Sequence, residues 1–151
     1  MRNGVLAAVA LAALLDGAGC GDDQRPQAAA ELWDRIHADG YRQWARAPGY
    51  EARRSSDAPH GGAVDIYVNA VVAKALAAEG SLAAWPEGSL VVKDGFDGDS
   101  FELVAAMEKR DGSWFWAEYD SEGSASHSGS PSVCTDCHAS GADFVRAFSL
   151  P

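Results

Sequence analysis

Positively charged side chains are scarce in this sequence. Its 151 residues include 12 Lys and Arg against 22 Asp and Glu, so the formal net charge is -10. Binding to nucleic acid or to an anionic membrane face requires clustered Lys and Arg. The composition therefore argues against both functions. It predicts an acidic, solvated surface, which by itself identifies no partner.

Cysteine is also rare, with three residues at positions 20, 134 and 137. Two of them lie within one short motif, and the third stands near the N-terminus. Such a chain offers no framework of several disulfides. The 47% content of hydrophobic residues, with five Trp, predicts instead one compact core.

The apolar run from Val5 to Leu15 is too short to span a bilayer, which takes about 20 residues. It follows a basic Arg2 and precedes small residues, so we predict an export signal peptide over residues 1–19. Cys20 resembles the acylated cysteine of a bacterial lipoprotein, with residues 20–27 as a tether. We expect an exported, periplasmic protein anchored to a membrane by lipid. Ordinary cleavage to a soluble periplasmic product is the alternative.

Hydrophobic periodicity predicts a single α+β domain over residues 28–151. Apolar residues at three- and four-residue steps predict a first helix that breaks at Gly40. Alternating patterns then predict strands, among them one with Ile66 and one with Met107, in a mainly antiparallel sheet with flanking helices. The stretch 121–132 is rich in Ser and Gly, and we expect a flexible surface loop there.

The segment Cys134-Thr135-Asp136-Cys137-His138 is expected to carry the chemistry. On a helical turn, Cys134 and Cys137 lie on one side and can bond the two vinyl groups of a porphyrin. His138 follows directly and is placed to ligate the iron. We therefore predict covalent haem c, with His138 as the metal ligand. Three alternatives use the same residues: a thiol redox pair, half of a zinc site and a structural disulfide.

The sixth coordination position of the iron decides what such a haem does. Two strong protein ligands favour electron transfer, whereas an open position favours binding or conversion of a small molecule. The available ligands are Met107, His60 and His127; Met107 belongs to an apolar strand face and both histidines fall in loops. The sequence favours an open site. A simple electron-transfer cytochrome ligated by Met107 is the alternative.

Short motifs follow one another in a fixed order from Tyr41 to Phe148. They are Tyr41-Arg42-x-Trp44, His60-Gly61-Gly62, Ile66-Tyr67-Val68-Asn69, Trp85-Pro86-Glu87-Gly88-Ser89 running into Lys93, Met107-Glu108-Lys109, Trp114-Phe115-Trp116 and the haem motif. This series resembles the cytochrome P-460 and cytochrome c'-beta family. The resemblance implies an antiparallel sheet with flanking helices, usually as a homodimer, around a five-coordinate haem.

One branch of that family oxidises hydroxylamine and carries a bond from a lysine to the porphyrin edge, while the other binds nitric oxide beside an aromatic cap. By its place after the Pro-Glu-Gly-Ser turn, Lys93 matches the cross-linking lysine, although a charged residue marking a strand end is the ordinary interpretation. The resemblance also implies a distal carboxylate that acts as a base. The corresponding stretch here is Ala105-Ala106, and alternation places Glu102 and Glu108 on the opposite face.

The sequence thus predicts an exported c-type haem protein that binds or oxidises a small nitrogenous ligand. Hydroxylamine oxidation and nitric oxide binding both fit, so enzymatic activity stays open at this point. We expect Ala105, Met107 and aromatic side chains such as Phe96 or Phe101 to line the pocket. We also expect an electron-transfer partner protein and a homodimer. A haem-free metal-binding or thiol-redox domain is the remaining alternative.

Overall fold

The computed structural model describes residues 24–151 of the chain. The predicted signal peptide and the predicted lipidation site Cys20 lie outside these residues, as does the first part of the predicted tether. Regular structure begins at Pro26, inside the range predicted as tether. No helix in the described range is long and apolar enough to cross a membrane.

The described chain folds into three α-helices, one 3-10 turn and a seven-stranded sheet. The helices are α1 (Pro26–Ala38), α2 (Ala70–Ala77) and α3 (Ser132–His138), and the 3-10 turn is Tyr41–Gln43. The strands are β1 (Ala45–Arg46), β2 (Arg54–Ser55), β3 (Ala63–Val68), β4 (Leu90–Asp97), β5 (Ser100–Arg110), β6 (Ser113–Asp120) and β7 (Ala125–Gly129). All pairings are antiparallel, in the order β1-β3-β4-β5-β6-β7, and β2 also pairs with β3. This architecture confirms the predicted α+β fold.

Helix α1 covers one face of the sheet. Its apolar stripe of Ala29, Leu32 and Ile36 is fully buried, as the three- and four-residue spacing predicts. The hydroxyl of Tyr119 on β6 donates a hydrogen bond to the Ala29 carbonyl at 2.7 Å. The helix gives way at Gly40, whose φ of 61° is in the left-handed region that glycine tolerates. The predicted break is therefore confirmed.

A tight turn joins β5 to β6 and fixes their register. Asp111 and Gly112 have φ values of 50° and 75°, which is typical of the two-residue turns in hairpins. Alternation along the strands then separates two faces: on β4, Val92 belongs to the cluster under α1, whereas Val91 belongs to the cluster that includes residues of α2 and of the C-terminal segment. The candidate site lies on this second face.

The expectation of a flexible loop over residues 121–132 is wrong for five of those 12 residues, Ala125–Gly129. Strand β7 pairs with β6 there, with His127 opposite Glu118. The N-terminal end of the described chain adds to this edge, because the Ser128 hydroxyl accepts a hydrogen bond from the Arg25 amide at 2.9 Å. Backbone pairing does not depend on apolar side chains, so a Ser- and Gly-rich segment can form an edge strand.

Candidate functional site

A cavity of about 440 Å³ lies on the second face of the sheet. Cys134, Cys137 and His138 line it from α3, and Lys93 lines it from β4. The structure therefore brings together all four residues that the sequence predicted to bind haem. The walls of the cavity are largely apolar. They include Val64, Ile66, Val91, Met107 and Trp116.

Helix α3 displays the two cysteines at the spacing that the motif requires. Cys134 and Cys137 lie one helical turn apart, and no disulfide joins them. The guanidinium of Arg146 donates to the Cys137 sulfur, with Nη1 3.1 Å from Sγ. A structural disulfide between the two cysteines is thus not what this structure contains. Both cysteines line the cavity.

The imidazole of His138 is held in one orientation. Its Nδ1 lies 2.9 Å from the carbonyl oxygen of Phe144, and because a carbonyl only accepts, Nδ1 must carry the proton. The ring also packs edge-on against Trp116, with centroids 4.6 Å apart. Burial lowers the pKa of His138, although the Phe144 hydrogen bond opposes this effect. The unprotonated Nε2 is consequently left to bind a metal.

These residues fit a covalently bound haem. The cavity volume falls within the roughly 300–1000 Å³ of cofactor pockets, and the donor set consists of two thiols and a neutral imidazole on one helix. Within residues 24–151, no cluster of three or more His, Cys, Asp or Glu is arranged to hold a metal ion. The zinc alternative therefore lacks the further ligands that it needs.

Lys93 does not mark a strand end, contrary to its ordinary interpretation. It lies in the middle of β4, opposite Ile66 on β3 and Ala105 on β5. Its side chain is partly buried and lines the cavity. Burial lowers the pKa of the Lys93 ammonium, with Cys137 opposing and Arg146 adding to the effect. The cavity thus favours an amine more easily deprotonated than an exposed lysine.

Glu118 is the site residue that the sequence reasoning missed. It lies opposite Ala105 on the neighbouring strand, and its side chain lines the cavity. His60 Nδ1 donates to its Oε2 at 2.8 Å, and the Ser126 hydroxyl lies 3.2 Å from Oε1. The His60 hydrogen bond holds the pKa of Glu118 below its usual value, against the effect of burial. The cavity therefore contains an ionised carboxylate.

The three side chains that the sequence offered as a sixth iron ligand are placed differently from one another. Met107 and His60 both line the cavity, as does Ala105, whereas His127 does not and lies 3.7 Å from the Glu118 carboxylate. The Nδ1 atom of His60 is hydrogen-bonded to the Glu118 carboxylate.

The expectation that Phe96 or Phe101 lines the pocket is wrong. These two rings pack against each other, with centroids 5.8 Å apart, outside the cavity lining. Alternation explains Phe96, since it shares the β4 face of Asp94 and not that of Lys93. Of the Trp, Tyr and Phe side chains, Trp116 and Tyr50 line the cavity.

Comparison with known protein families gives a match over most of the chain. The family model described as cytochrome P460 matches residues 38–146, a range that includes Lys93, Glu118 and the whole haem motif. No curated protein and no solved structure matches the chain significantly.

Proposed function

Because the chain belongs to the cytochrome P460 family, and is therefore a haem protein, we propose that it binds haem c covalently in this cavity and oxidises hydroxylamine there. The observation that carries the proposal is a row of residues across the sheet. Lys93, Ala105 and Glu118 are successive cross-strand neighbours on the cavity face. The row places an amine and a carboxylate in the same cavity as Cys134, Cys137 and His138.

Four residues of the chain are proposed to hold the group. Cys134 and Cys137 form the thioether links, and the Nε2 of His138 ligates the iron. Lys93 is proposed to add a further bond from its neutral amine to a carbon of the porphyrin edge, a step that breaks one N–H and one C–H bond and passes two electrons to a peroxide-class oxidant. Burial favours that neutral form. When bound, the haem supplies an acceptor for the electrons of the substrate.

Glu118 is proposed to accept protons from hydroxylamine, which loses protons as it loses electrons. A general base has to lie in the site and be ionised at the working pH. Glu118 lines the cavity, and the hydrogen bond from His60 favours its ionised form. This carboxylate is proposed to supply the proton acceptor that the side chains of Ala105 and Ala106 cannot provide.

Nitric oxide binding is the second candidate. It is favoured by the apolar walls around Val91, Met107 and Trp116, because an uncharged diatomic gas needs no proton acceptor. Glu118 distinguishes the two candidates, since gas binding has no use for a carboxylate that a hydrogen bond from His60 holds inside the cavity.

One experiment tests the proposal. The full chain is expressed with the c-type maturation machinery, and its absorption spectrum is recorded oxidised and reduced, together with the masses of the haem-bearing peptides. We expect haem on the Cys134–Cys137 peptide, a mass link to Lys93, and hydroxylamine turnover with an artificial electron acceptor. An ordinary c-haem spectrum without the mass link to Lys93 would overturn the proposed cross-link. Nitric oxide binding without hydroxylamine turnover would overturn the proposed enzymatic activity in favour of gas binding.

A low-spin spectrum that is lost when Met107 is replaced by Leu would make the protein an electron carrier. Absence of covalent haem in the unaltered chain would overturn the proposed function altogether, in favour of a haem-free or thiol-redox domain. These outcomes can be distinguished from one another, because haem ligation and covalent attachment are read from the spectrum and the peptide masses, whereas turnover is measured independently.

We also propose that the protein is exported to the periplasm through residues 1–19, that Cys20 is acylated, and that a homodimer passes electrons to a partner protein. The sequence supports export through its basic start and the apolar run from Val5 to Leu15. The mass of the mature N-terminal peptide tests acylation, and sedimentation tests the dimer. A mature chain that begins at another residue without lipid would favour a soluble periplasmic product.

A further inference from the structure

We propose that the buried ion pair between Lys109 and Asp143 positions the axial ligand His138. The pair does so by fixing the turn that presents the Phe144 carbonyl to the imidazole. This inference rests on the proposed function, since it takes His138 as the haem ligand. Lys109 and Asp143 are positioning residues here, because neither lines the cavity.

The turn after α3 has a backbone that its side chains do not favour. Asp143 and Phe144 have φ values of 46° and 65°, so two consecutive residues other than glycine occupy the left-handed region. Asp enters this region more readily than most residues, but a bulky residue such as Phe144 adopts it only where the surrounding structure imposes it. Something outside the turn must therefore hold it in place.

Two anchors on the body of the domain meet the Asp143 carboxylate. Lys109 Nζ on β5 donates to its two oxygens at 2.9 and 3.0 Å, and the backbone amide of Trp85 donates to Oδ2 at 2.8 Å. The indole of Trp85 also donates to the Ala142 carbonyl at 3.3 Å, and this ring is 2% exposed. The turn is thus held to strand β5 through Lys109. It is also held to the buried Trp85 through hydrogen bonds at Ala142 and Asp143.

The ion pair is shielded from water, so its geometry matters for the conformation of the turn. The side chains of Lys109 and Asp143 are 8% and 13% exposed. A buried ion pair is a weak source of stability, because desolvation offsets most of the attraction, but removing one partner leaves an uncompensated charge. Selection of one conformation is the best-supported use of such a pair, and here that conformation is the turn at Phe144.

This turn also holds the imidazole of His138 in position. The Phe144 carbonyl, one residue after Asp143, accepts the hydrogen bond from His138 Nδ1 at 2.9 Å. A hydrogen bond at this nitrogen fixes the tautomer and ring orientation of a metal-binding histidine and increases its donor strength. A connected series of contacts therefore runs from β5 through Lys109, Asp143 and Phe144 to His138.

The test compares Asp143→Asn and Lys109→Met with the unaltered haem protein. Asp143→Asn is nearly isosteric and keeps an oxygen for the Trp85 amide, and Lys109→Met keeps the length of the side chain. We expect both to lower the frequency of the iron-histidine stretching vibration in the reduced protein and to raise the reduction potential, because a less oriented His138 is a weaker donor. Lys109→Arg retains the charge and should restore both readouts towards the unaltered values.

Asp94→Asn is the matched control. Asp94 is also a buried carboxylate, bonded by Tyr41 at 2.6 Å and by Arg42 at 2.7 Å, but it lies on the opposite face of the sheet. We expect it to destabilise the fold without moving the vibration or the potential. If Asp143→Asn and Lys109→Met leave both readouts unchanged while haem is bound, the inference is overturned. Absence of covalent haem in the unaltered chain would instead overturn the proposed function.

Discussion

Ala105 and Glu118 lie directly opposite each other in the β5–β6 hairpin, and both line the cavity. Paired residues in an antiparallel ladder project to the same side of the sheet, so a carboxylate missing from one strand can be supplied by the next. Glu118 reaches the cavity beside Ala105 in this way. Glu118, the proposed proton acceptor, and Lys93, the proposed cross-linking residue, are then separated by a single alanine across the sheet.

The first prediction concerns this carboxylate. Replacing Glu118 with Gln keeps the shape of the side chain but removes its capacity to accept a proton, so hydroxylamine turnover should fall about 100- to 10,000-fold. Steady-state oxidation with an artificial electron acceptor measures the effect, and the haem spectrum should persist. Glu102→Gln is the control, because Glu102 is exposed and belongs to the other face of β5. Equal turnover in both variants would count against Glu118 as the base.

The hairpin shows how much of the site was predictable. The Arg110-Asp111-Gly112-Ser113 pattern indicates a tight turn, and the pairing of Arg110 with Ser113 fixes that of Ala105 with Glu118 five residues further along each strand. The information was thus present in the sequence. Alternation along β5 alone does not reveal Glu118, because a site on a sheet is assembled from neighbouring strands.

Local signals were sufficient for other elements and insufficient for β7. The Asn69 side chain accepts from the Val72 amide at 3.2 Å and begins α2, as expected for an asparagine before good helix formers. In contrast, β7 has no alternation of apolar residues, so only its pairing with β6 defines it. The Lys109–Asp143 contact spans 34 positions of the chain and likewise has no local signature.

The second prediction concerns close packing beneath His60. A Cβ placed on Gly95 would lie 2.2 Å from the His60 carbonyl oxygen, so Gly95→Ala must displace the loop that carries His60. We expect a loss of about 1–3 kcal/mol in the free energy of unfolding, as for other overpacked sites. Hydroxylamine turnover should fall as well, because His60 would no longer hold Glu118.

Gly62→Ala is the control for that experiment. The nearest atom that its added Cβ would meet is the Phe96 carbonyl oxygen at 3.8 Å, an ordinary contact. Urea unfolding and turnover measured on both variants should separate them clearly. A Gly95→Ala protein as stable and active as Gly62→Ala would show that the His60 loop is not held against β4.

The third prediction is a dependence of stability on pH. Burial raises the pKa of Asp143, but hydrogen bonds from Lys109 and the Trp85 amide outweigh it, so the folded pKa is lower than normal. A depressed carboxylate pKa contributes stability that is present above the unfolded value of about 3.9 and is lost as the pH falls through the folded value. The stability difference between the unaltered protein and Asp143→Asn should therefore be constant at neutral pH and shrink in acid.

Urea unfolding of both proteins between neutral pH and about pH 2 measures this difference. Asp120→Asn provides a comparison, since Asp120 is fully exposed and its pKa is lowered by hydrogen bonds from local backbone amides. We expect a smaller difference for that pair. A difference for Asp143 that grew in acid would mean that its carboxylate is destabilised by folding.

The fourth prediction concerns haem attachment. Replacing Cys137 with Ala removes one of the two thiols that α3 presents to the cavity, so covalent attachment of haem should be lost. The fold should remain, because Cys137 is exposed and contributes little to the core. Haem staining after denaturing electrophoresis and far-UV circular dichroism measure the two effects. Asp136→Ala, exposed on the same helix, should retain its haem; if Cys137→Ala does so to the same extent, the attachment proposal fails.

The last prediction concerns Lys93, one of three lysines in the chain and the one that lines the cavity. Lys93→Met preserves the length and apolar stem of the side chain but removes the amine. Covalent haem should therefore remain on Cys134 and Cys137, while the additional link disappears from the peptide masses and the spectrum becomes that of an ordinary c-type haem. Lys74→Met, exposed on α2, should change neither measurement. An unchanged spectrum in Lys93→Met would show that this lysine modifies no porphyrin, whatever its position beside Ala105.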